Sequence, residues 1–256
     1  MDERRQRLYR TEAIVLKRRD YGEADRILTV FTPEYGKLTL LAKGVRKTKS
    51  RKAGHVELFT DSTMLIAKGR TWDLVSQVEM LEPFRGLHED LLRTGYAYTV
   101  AELLDGFTQE RDSHPPMFVL LKETLGRLAA SKAEALHLVA RFFDLHLLGL
   151  AGYQPQLFRC VECQELLEPV TNYFSVAEGG VLCPKHGEGR IGAEPLPLPL
   201  FKALRFLQTR EWDVVARLDL SDGLQAELER LLQSTLIYHL ERNLRSVAFL
   251  RTVRDG

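Results

Sequence analysis

The sequence is short of cysteine, with 3 in 256 residues. An odd number cannot make a fully paired disulfide framework, and reduced thiols fit a cytoplasmic setting. Long apolar runs are missing too. None approaches the roughly 18 residues of a membrane span, so no membrane partner is expected. Met1-Asp2-Glu3-Arg4-Arg5 is polar from the first residue, which does not read as a secretory leader. No G-x-x-x-x-G-K-[ST] segment occurs, which excludes a Walker-type phosphate loop. Neither a G-x-S-x-G elbow nor an H-E-x-x-H pair is present. His88 beside Glu89-Asp90, and His146 near Asp144, read as surface or interhelix contacts. No nucleophile or acid–base pair is nominated, so the expectation is a protein that is not an enzyme.

The formal net charge is only +1, but its distribution is uneven. Residues 1–80 hold 17 Lys and Arg against 11 Asp and Glu, a local excess of +6, whereas residues 81–256 carry −5. A basic front half on a near-neutral chain points to a polyanion partner held there.

Hydrophobic patterning divides the chain in the same place. Apolar alternation marks strands at Ala13–Leu16, Arg26–Phe31, Lys37–Ala42, His55–Ala67 and Arg70–Val78. Turn cues separate them, at Tyr21-Gly22-Glu23, Thr32 to Gly36 and Lys68-Gly69. Five short strands in so small a segment predict an α+β, multidomain chain. Its first domain, residues 1–80, is expected to be a five-stranded oligonucleotide-binding (OB-fold) barrel, with an SH3-like barrel as the alternative. After Glu82-Pro83 the period becomes helical. Leu87 to Glu110, Met117–Ala130, Ala133–Leu150, Pro199–Arg210 and Gly223–Asn243 read as amphipathic helices. They predict a helical bundle domain over 81–256, interrupted at about 158–190 by a small insert.

That insert contains every cysteine. Cys160-Val161-Glu162-Cys163 is one metal hook and Cys183-Pro184-Lys185-His186 the other, separated by nineteen residues (164–182). Two such hooks can close a tetrahedral zinc site, and four protein ligands leave no open position, so the expected ion is a structural Zn2+. Gln164 stands where glycine often closes the first hook. Tyr173 to Leu182, with Gly179-Gly180 in the middle, reads as a hairpin joining the hooks. Three other readings remain: a redox CxxC pair, a catalytic zinc of the deaminase kind, and a site that no longer holds metal. The first leaves Cys183 and His186 unexplained. In the second, His186-Gly187-Glu188 follows the CxxC instead of preceding it, and Arg159 replaces the required proline.

Six of the ten residues from Lys43 to Lys52 are basic and none is acidic. Lys43, Arg46, Lys47, Lys49, Arg51 and Lys52 are candidate phosphate contacts, and Arg18, Arg19, Arg26 and Arg70 would extend the path. Lys37 and Lys68 fall in the same segment. The alternative is a solvated, flexible loop. Among the aromatics, Tyr21 and Tyr35 sit beside turn glycines and are expected to be exposed and able to stack on bases. Phe31 and Phe59 are expected to be core.

Taken together these segments resemble the RecO family of bacterial DNA repair and recombination mediators. The front motifs are Glu12 to Leu16, Gly22 to Thr32, Tyr35-Gly36-Lys37 and Ala42 to Lys47; behind them come Cys160-x-x-Cys163, the glycine hairpin and Cys183-x-x-His186. Histidine at 186, where cysteine is common in that family, alters the donor set but not the site. The resemblance implies a cytoplasmic, nucleoid-associated protein that binds single- and double-stranded DNA and anneals complementary strands. It implies RecR, the C-terminal tail of single-strand-binding protein (SSB) and the RecA pathway as partners. An adaptor acting mainly through the helical domain is the second reading.

Overall fold

The computed structural model describes residues 7–48, 50 and 52–255; Lys49 and Arg51 of the basic loop lie outside the described residues. In chain order the strands of the front half are β1 (Leu8–Tyr21), β2 (Asp25–Thr32), β3 (Gly36–Ala42), β4 (Asp61–Ala67) and β5 (Asp73–Glu82). Helices α1 (Gly86–Glu89), α2 (Leu91–Phe107), α3 (Pro115–Ala130) and α4 (Leu136–Leu150) follow. Next come β6 (Asn172–Ser175), β7 (Gly180–Leu182), α5 (Pro184–Gly187), β8 (Ala193–Leu196), α6 (Leu198–Thr209), α7 (Trp212–Val215), α8 (Asp222–Leu240) and α9 (Arg245–Asp255). No described helix is long and apolar enough to cross a membrane.

The chain forms two compact units, one of residues 1–133 with 245–256 and one of residues 134–244. The first is built on a closed, OB-like barrel of strand order β1-β2-β3-β5-β4, closed by β1 on β4. Among the described barrel strands, β3 and β5 are the pair that runs parallel. Ala13, Val15, Leu28, Val30, Leu38, Leu40, Met64 and Ile66 fill the interior. The opposite face of β1 and β2 is apolar as well, since Ile14, Leu16 and Phe31 are completely buried. Helix α2 covers β1 and α3 covers β2, with the Phe31 and Phe118 rings stacked 6.4 Å apart. A barrel cut off at residue 80 would expose that second apolar face.

Ion pairs fix the helices to the barrel. Lys37 Nζ lies 3.1 Å from Asp105 and donates to the carbonyls of Asp105 and Thr108, both at 2.7 Å. It is therefore a structural tie and not part of an open basic path. Lys122 of α3 pairs with Asp61 at 2.8 Å and with Glu12. Burial is the chief reason the Asp61 carboxyl is pushed up to about 6, against the pull of Lys122.

The single strand expected over His55–Ala67 is corrected by the structure. Ala53–Val56 is a 3-10 turn and β4 begins only at Asp61. The cause is Phe59, a fully buried ring whose backbone takes φ 63°. Its N–H reaches Val15 O at 2.8 Å, while Val15 N–H reaches Thr60 O, so the chain crosses β1 before turning into the sheet.

Helix α9 returns to the first unit after the second is complete. Val247 and Leu250 are buried, and α9 packs on α2. The Glu102 carboxylate caps its N-terminus by accepting the N–H groups of Arg245 (3.0 Å) and Ser246 (2.8 Å). Burial alone would raise the Glu102 carboxyl, but these donors outweigh it and hold it below its ordinary range. Glu102→Gln is expected to cost about 1 kcal/mol at neutral pH, the usual worth of a helix cap. A depressed carboxyl contributes above its unfolded pKa and stops contributing as pH falls through its folded value. Denaturant unfolding should therefore show the difference at pH 7 and progressively less of it as the solution is acidified.

In the second unit α4, apolar nearly all round, packs against α6 and α8. The insert between α4 and α6 carries a three-stranded sheet of order β7-β6-β8. Its hairpin turns at Val176–Gly179, where Gly179 has φ 71°. Arg205 of α6 supports the base of the insert. Its Nε donates to Leu157 O at 2.7 Å, and its guanidinium lies over the Phe158 and Phe201 rings.

Candidate metal centre and basic surface

The two hooks meet. One ligand atom from each of Cys160, Cys163, Cys183 and His186 lies within 4.8 Å of all the others. Cys183 Sγ is 3.2 Å and Cys160 Sγ 3.8 Å from His186 Nδ1. Metal–sulfur bonds of about 2.3 Å and metal–nitrogen bonds of about 2.0–2.1 Å give a tetrahedron with edges of about 3.5–3.8 Å. The donor set and its spacing fit a four-coordinate metal.

Each hook has a local cause. In the first, Gln164 N–H closes on Cys160 O and Cys160 N–H on Glu165 O, both at 2.9 Å. That turn puts Gln164 at φ 62°, the conformation glycine adopts most easily. Its side chain answers part of the strain by donating to Val161 O at 3.0 Å. In the second, Pro184 starts α5 with φ already suitable, and the N–H groups of His186 and Gly187 return to Cys183 O. Gly187 is required by packing, since a Cβ there would meet the Tyr173 side chain, its Cβ and ring, at 2.4–2.6 Å.

The sulfurs differ in acidity. Burial opposes ionisation of Cys160, but the N–H groups of Cys163, Cys183 and Glu162, with His186, outweigh it and bring the thiol down to about 6. At Cys163 the Glu165 N–H favours the thiolate, yet desolvation and the adjacent Cys160 and Cys183 sulfurs push the thiol up. One thiolate is thus ready, and a cation would draw off the remaining protons.

The basic residues lie on the barrel unit. Arg26 pairs in register with Asp20 across the β1–β2 hairpin and with Ala42 at the end of β3. The loop from Lys43 therefore leaves the barrel beside Arg18, Arg19 and Arg26. It is anchored: Gly44 N–H donates to Asp25 Oδ1 at 2.7 Å, Arg46 N–H donates to Ala24 O, and Val45 and Val56 are buried in the barrel core. Lys43, Arg46 and Lys47 are exposed at its start. Lys52 turns inward and donates to Val75 O at 2.9 Å.

Tyr21 and Tyr35 are 43% and 38% exposed, and Phe31 and Phe59 are buried, as the sequence leads one to expect. Only Tyr21 is near the basic loop. Its ring meets Trp72 edge-on at 5.1 Å, which places the β4–β5 turn, with Lys68 and Arg70, beside the β1–β2 turn. Tyr35 is at the far end of β2, where it packs on Tyr9. Eight strand residues, roughly 26 Å, separate the two ends.

Sequence reasoning missed the acids on this face. Glu57 binds Arg18 and also Arg26 (3.1 Å), and Asp20 binds Arg26 and Arg46, both at 3.3 Å. Burial, then repulsion from Arg26, lowers the pKa of Arg18.

The family model described as "Recombination protein O N terminal" matches residues 6–84, and "Recombination protein O C terminal" matches residues 88–248. The chain is 44% identical to the DNA repair protein RecO of Roseiflexus sp. (strain RS-1) over 98% of its own length and 88% of that protein. It is 40% identical to the DNA repair protein RecO of Desulforudis audaxviator (95% and 96% covered). With that of Pelotomaculum thermopropionicum it shares 39% identity (95% and 94% covered).

Proposed function

The chain belongs to the recombination protein O family of DNA repair and recombination proteins, and from that premise we propose that its barrel holds the DNA phosphate backbone. It binds single- and double-stranded DNA and anneals complementary strands. With RecR it helps load RecA onto single strands coated by SSB, whose C-terminal tail it meets, and it works in the cytoplasm at the nucleoid. The observation that carries this reading is the anchored loop, which displays Lys43, Arg46 and Lys47 beside Arg18, Arg19 and Arg26 at one end of the barrel. Arg70 extends that surface, Lys49 and Arg51 are proposed as phosphate contacts from the sequence alone, and Lys52 serves to seat the loop. Tyr21 offers an exposed ring for a base beside it; Tyr35 would reach a strand only at the other end of the barrel.

Annealing then has a physical basis. A cationic face neutralises one strand and lowers its repulsion of the complement, with counterion release supplying affinity. No step needs a nucleophile. The metal is zinc, held by Cys160, Cys163, Cys183 and His186. A closed set of four protein donors gives it a structural task, that of fixing the insert.

Reversing three charges (Lys43→Glu, Arg46→Glu and Lys47→Glu) tests the assignment on the full chain. For every phosphate no longer neutralised, the salt slope should flatten by about 0.7 on a single strand, equivalent to about fivefold in affinity at 0.1 M salt. Fluorescence anisotropy with a labelled oligonucleotide over a salt series measures both. Unchanged affinity at low salt would remove the loop from the binding surface.

A further inference from the structure

Five side chains on the basic face alternate in charge: Arg18, Glu57, Arg26, Asp20 and Arg46. Glu57 gives Oε2 to Arg18 and Oε1 to Arg26, and Asp20 gives Oδ1 to Arg26 and Oδ2 to Arg46. Each carboxylate is thus divided between two guanidinium groups, one oxygen to each. None of these four pairs has the two parallel bonds that make an Arg–carboxylate contact strong. All five groups are at least partly exposed to solvent.

Exposed pairs of this kind contribute little to stability, and they open easily. Their consequence is for charge. Three arginines against two acids leave +1, whereas Arg19, Lys43 and Lys47 nearby have no ion pair among the described residues. The acids come from two places in the chain, the end of β1 and the segment before β4, and both converge on Arg26. A phosphate arriving at Arg26 has to replace one of these oxygens, and it then lies beside a carboxylate of its own sign.

We infer that Asp20 and Glu57 are internal competitors for the arginines of this face and set how tightly the barrel holds DNA. The inference rests on the proposed DNA-binding role of the face. Weakened phosphate contacts suit a protein that must release the duplex it has helped to form. The acids occupy the arginines in the absence of DNA, keep them oriented, and make every phosphate contact there exchangeable.

The experiment uses the full chain and a fluorescently labelled thymidine oligonucleotide, with affinity read across a salt series. Glu57→Gln and Asp20→Asn each keep the side-chain shape and remove one negative charge. Each is expected to tighten binding about fivefold at 0.1 M salt and to steepen the salt slope by about 0.7, the equivalent of one further phosphate neutralised. Thermal melting of each variant checks the fold, and because the acids sit in separate segments either variant alone decides. Unchanged or weaker binding by a folded variant overturns the inference, and weaker binding would make the acids orienting groups only. Arg26→Gln separates this from the reading beneath it. If Arg26→Gln weakens binding while Glu57→Gln and Asp20→Asn do not tighten it, the competition fails and the DNA face stands. If Arg26→Gln changes nothing, the DNA face fails and the inference with it.

Discussion

Cys160→Ser is expected to empty the metal site and to unfold the insert between about 158 and 190. Cys160 is the ligand on which the others depend. Its sulfur is completely buried, accepts the Cys183 N–H at 3.4 Å and lies 3.8 Å from His186 Nδ1. Beyond the metal the insert is held by a small core of Leu167, Phe174, Val181 and Leu182 and by the Arg190 pairs to Glu162 and Glu178, and its elements are short. Its strands are four, three and four residues long, and α5 is a single turn. A structural zinc supplies about 10–16 kcal/mol of apparent binding free energy, and in so small a module that energy is folding energy. Metal analysis should show zinc near one per chain in the parent and close to none in the variant. Limited proteolysis should cut the variant within the insert, and a chelator should produce the same pattern in the parent. DNA affinity is expected to change far less, because the phosphate contacts are assigned to the barrel. Equal loss of zinc and of DNA binding in a protein whose helices remain folded would show that the insert itself takes part in binding.

The metal hooks were legible because their information is local. A two-residue spacing, a proline and a glycine at the second hook, and a glycine pair in the spacer all act within a few residues of the ligands. The barrel was legible for a similar reason: Gly22 and Gly36 have φ of 55° and 63°, and the strands between the turns alternate cleanly. The ends of strands were harder. Lys17 to Asp20 are polar and give no apolar signal, yet pairing with β2 carries β1 on to Tyr21. Phe59 looked like strand because its left-handed backbone is set by Val15, forty-four positions earlier. Helix α9 has apolar residues at helical spacing, Val247 and Leu250, but the stripe is short and set among three arginines. It forms against α2 and under the Glu102 cap, about 143 residues back in the sequence. The acids were the main omission at the site itself. A charge run reads as free cations when only neighbours in sequence are considered, but Glu57 reaches Arg18 across 39 residues and Lys37 reaches Asp105 across 68. Long-range pairing therefore sorted the cations into ties, paired arginines and open lysines.

Arg141→Leu is expected to be the most damaging single change in the helical unit away from the metal. Arg141 and Asp144 sit one turn apart on α4, are each 2% exposed, and pair at 3.1 Å. Glu229 of α8 approaches Arg141 at 3.9 Å and accepts a hydrogen bond from Gln233. Burial is the main force on the Asp144 carboxyl; with Glu229 it outweighs the pull of Arg141 and pushes the group up to about 6. Removing the arginine leaves a buried carboxylate without its cation, which costs about 3–5 kcal/mol. Replacing both, as Arg141→Leu with Asp144→Leu, should recover most of that loss, because two apolar side chains in the same space carry no desolvation penalty. The pH dependence gives an independent check. Asp144 has a higher pKa folded than the roughly 3.9 of an unfolded aspartate, so the folded chain holds a proton that the unfolded chain releases. The contribution of this carboxyl to the unfolding free energy therefore falls as pH rises from about 4 to about 6 in the parent. Without Arg141 the carboxyl moves higher still and the fall continues beyond pH 6, so the deficit of Arg141→Leu should be smaller at pH 5 than at pH 8. Denaturant unfolding of metal-saturated protein at the two pH values measures it. A deficit equal at both, and not recovered in the double variant, would mean that the arginine stem stabilises α4 by packing and that its charge does not.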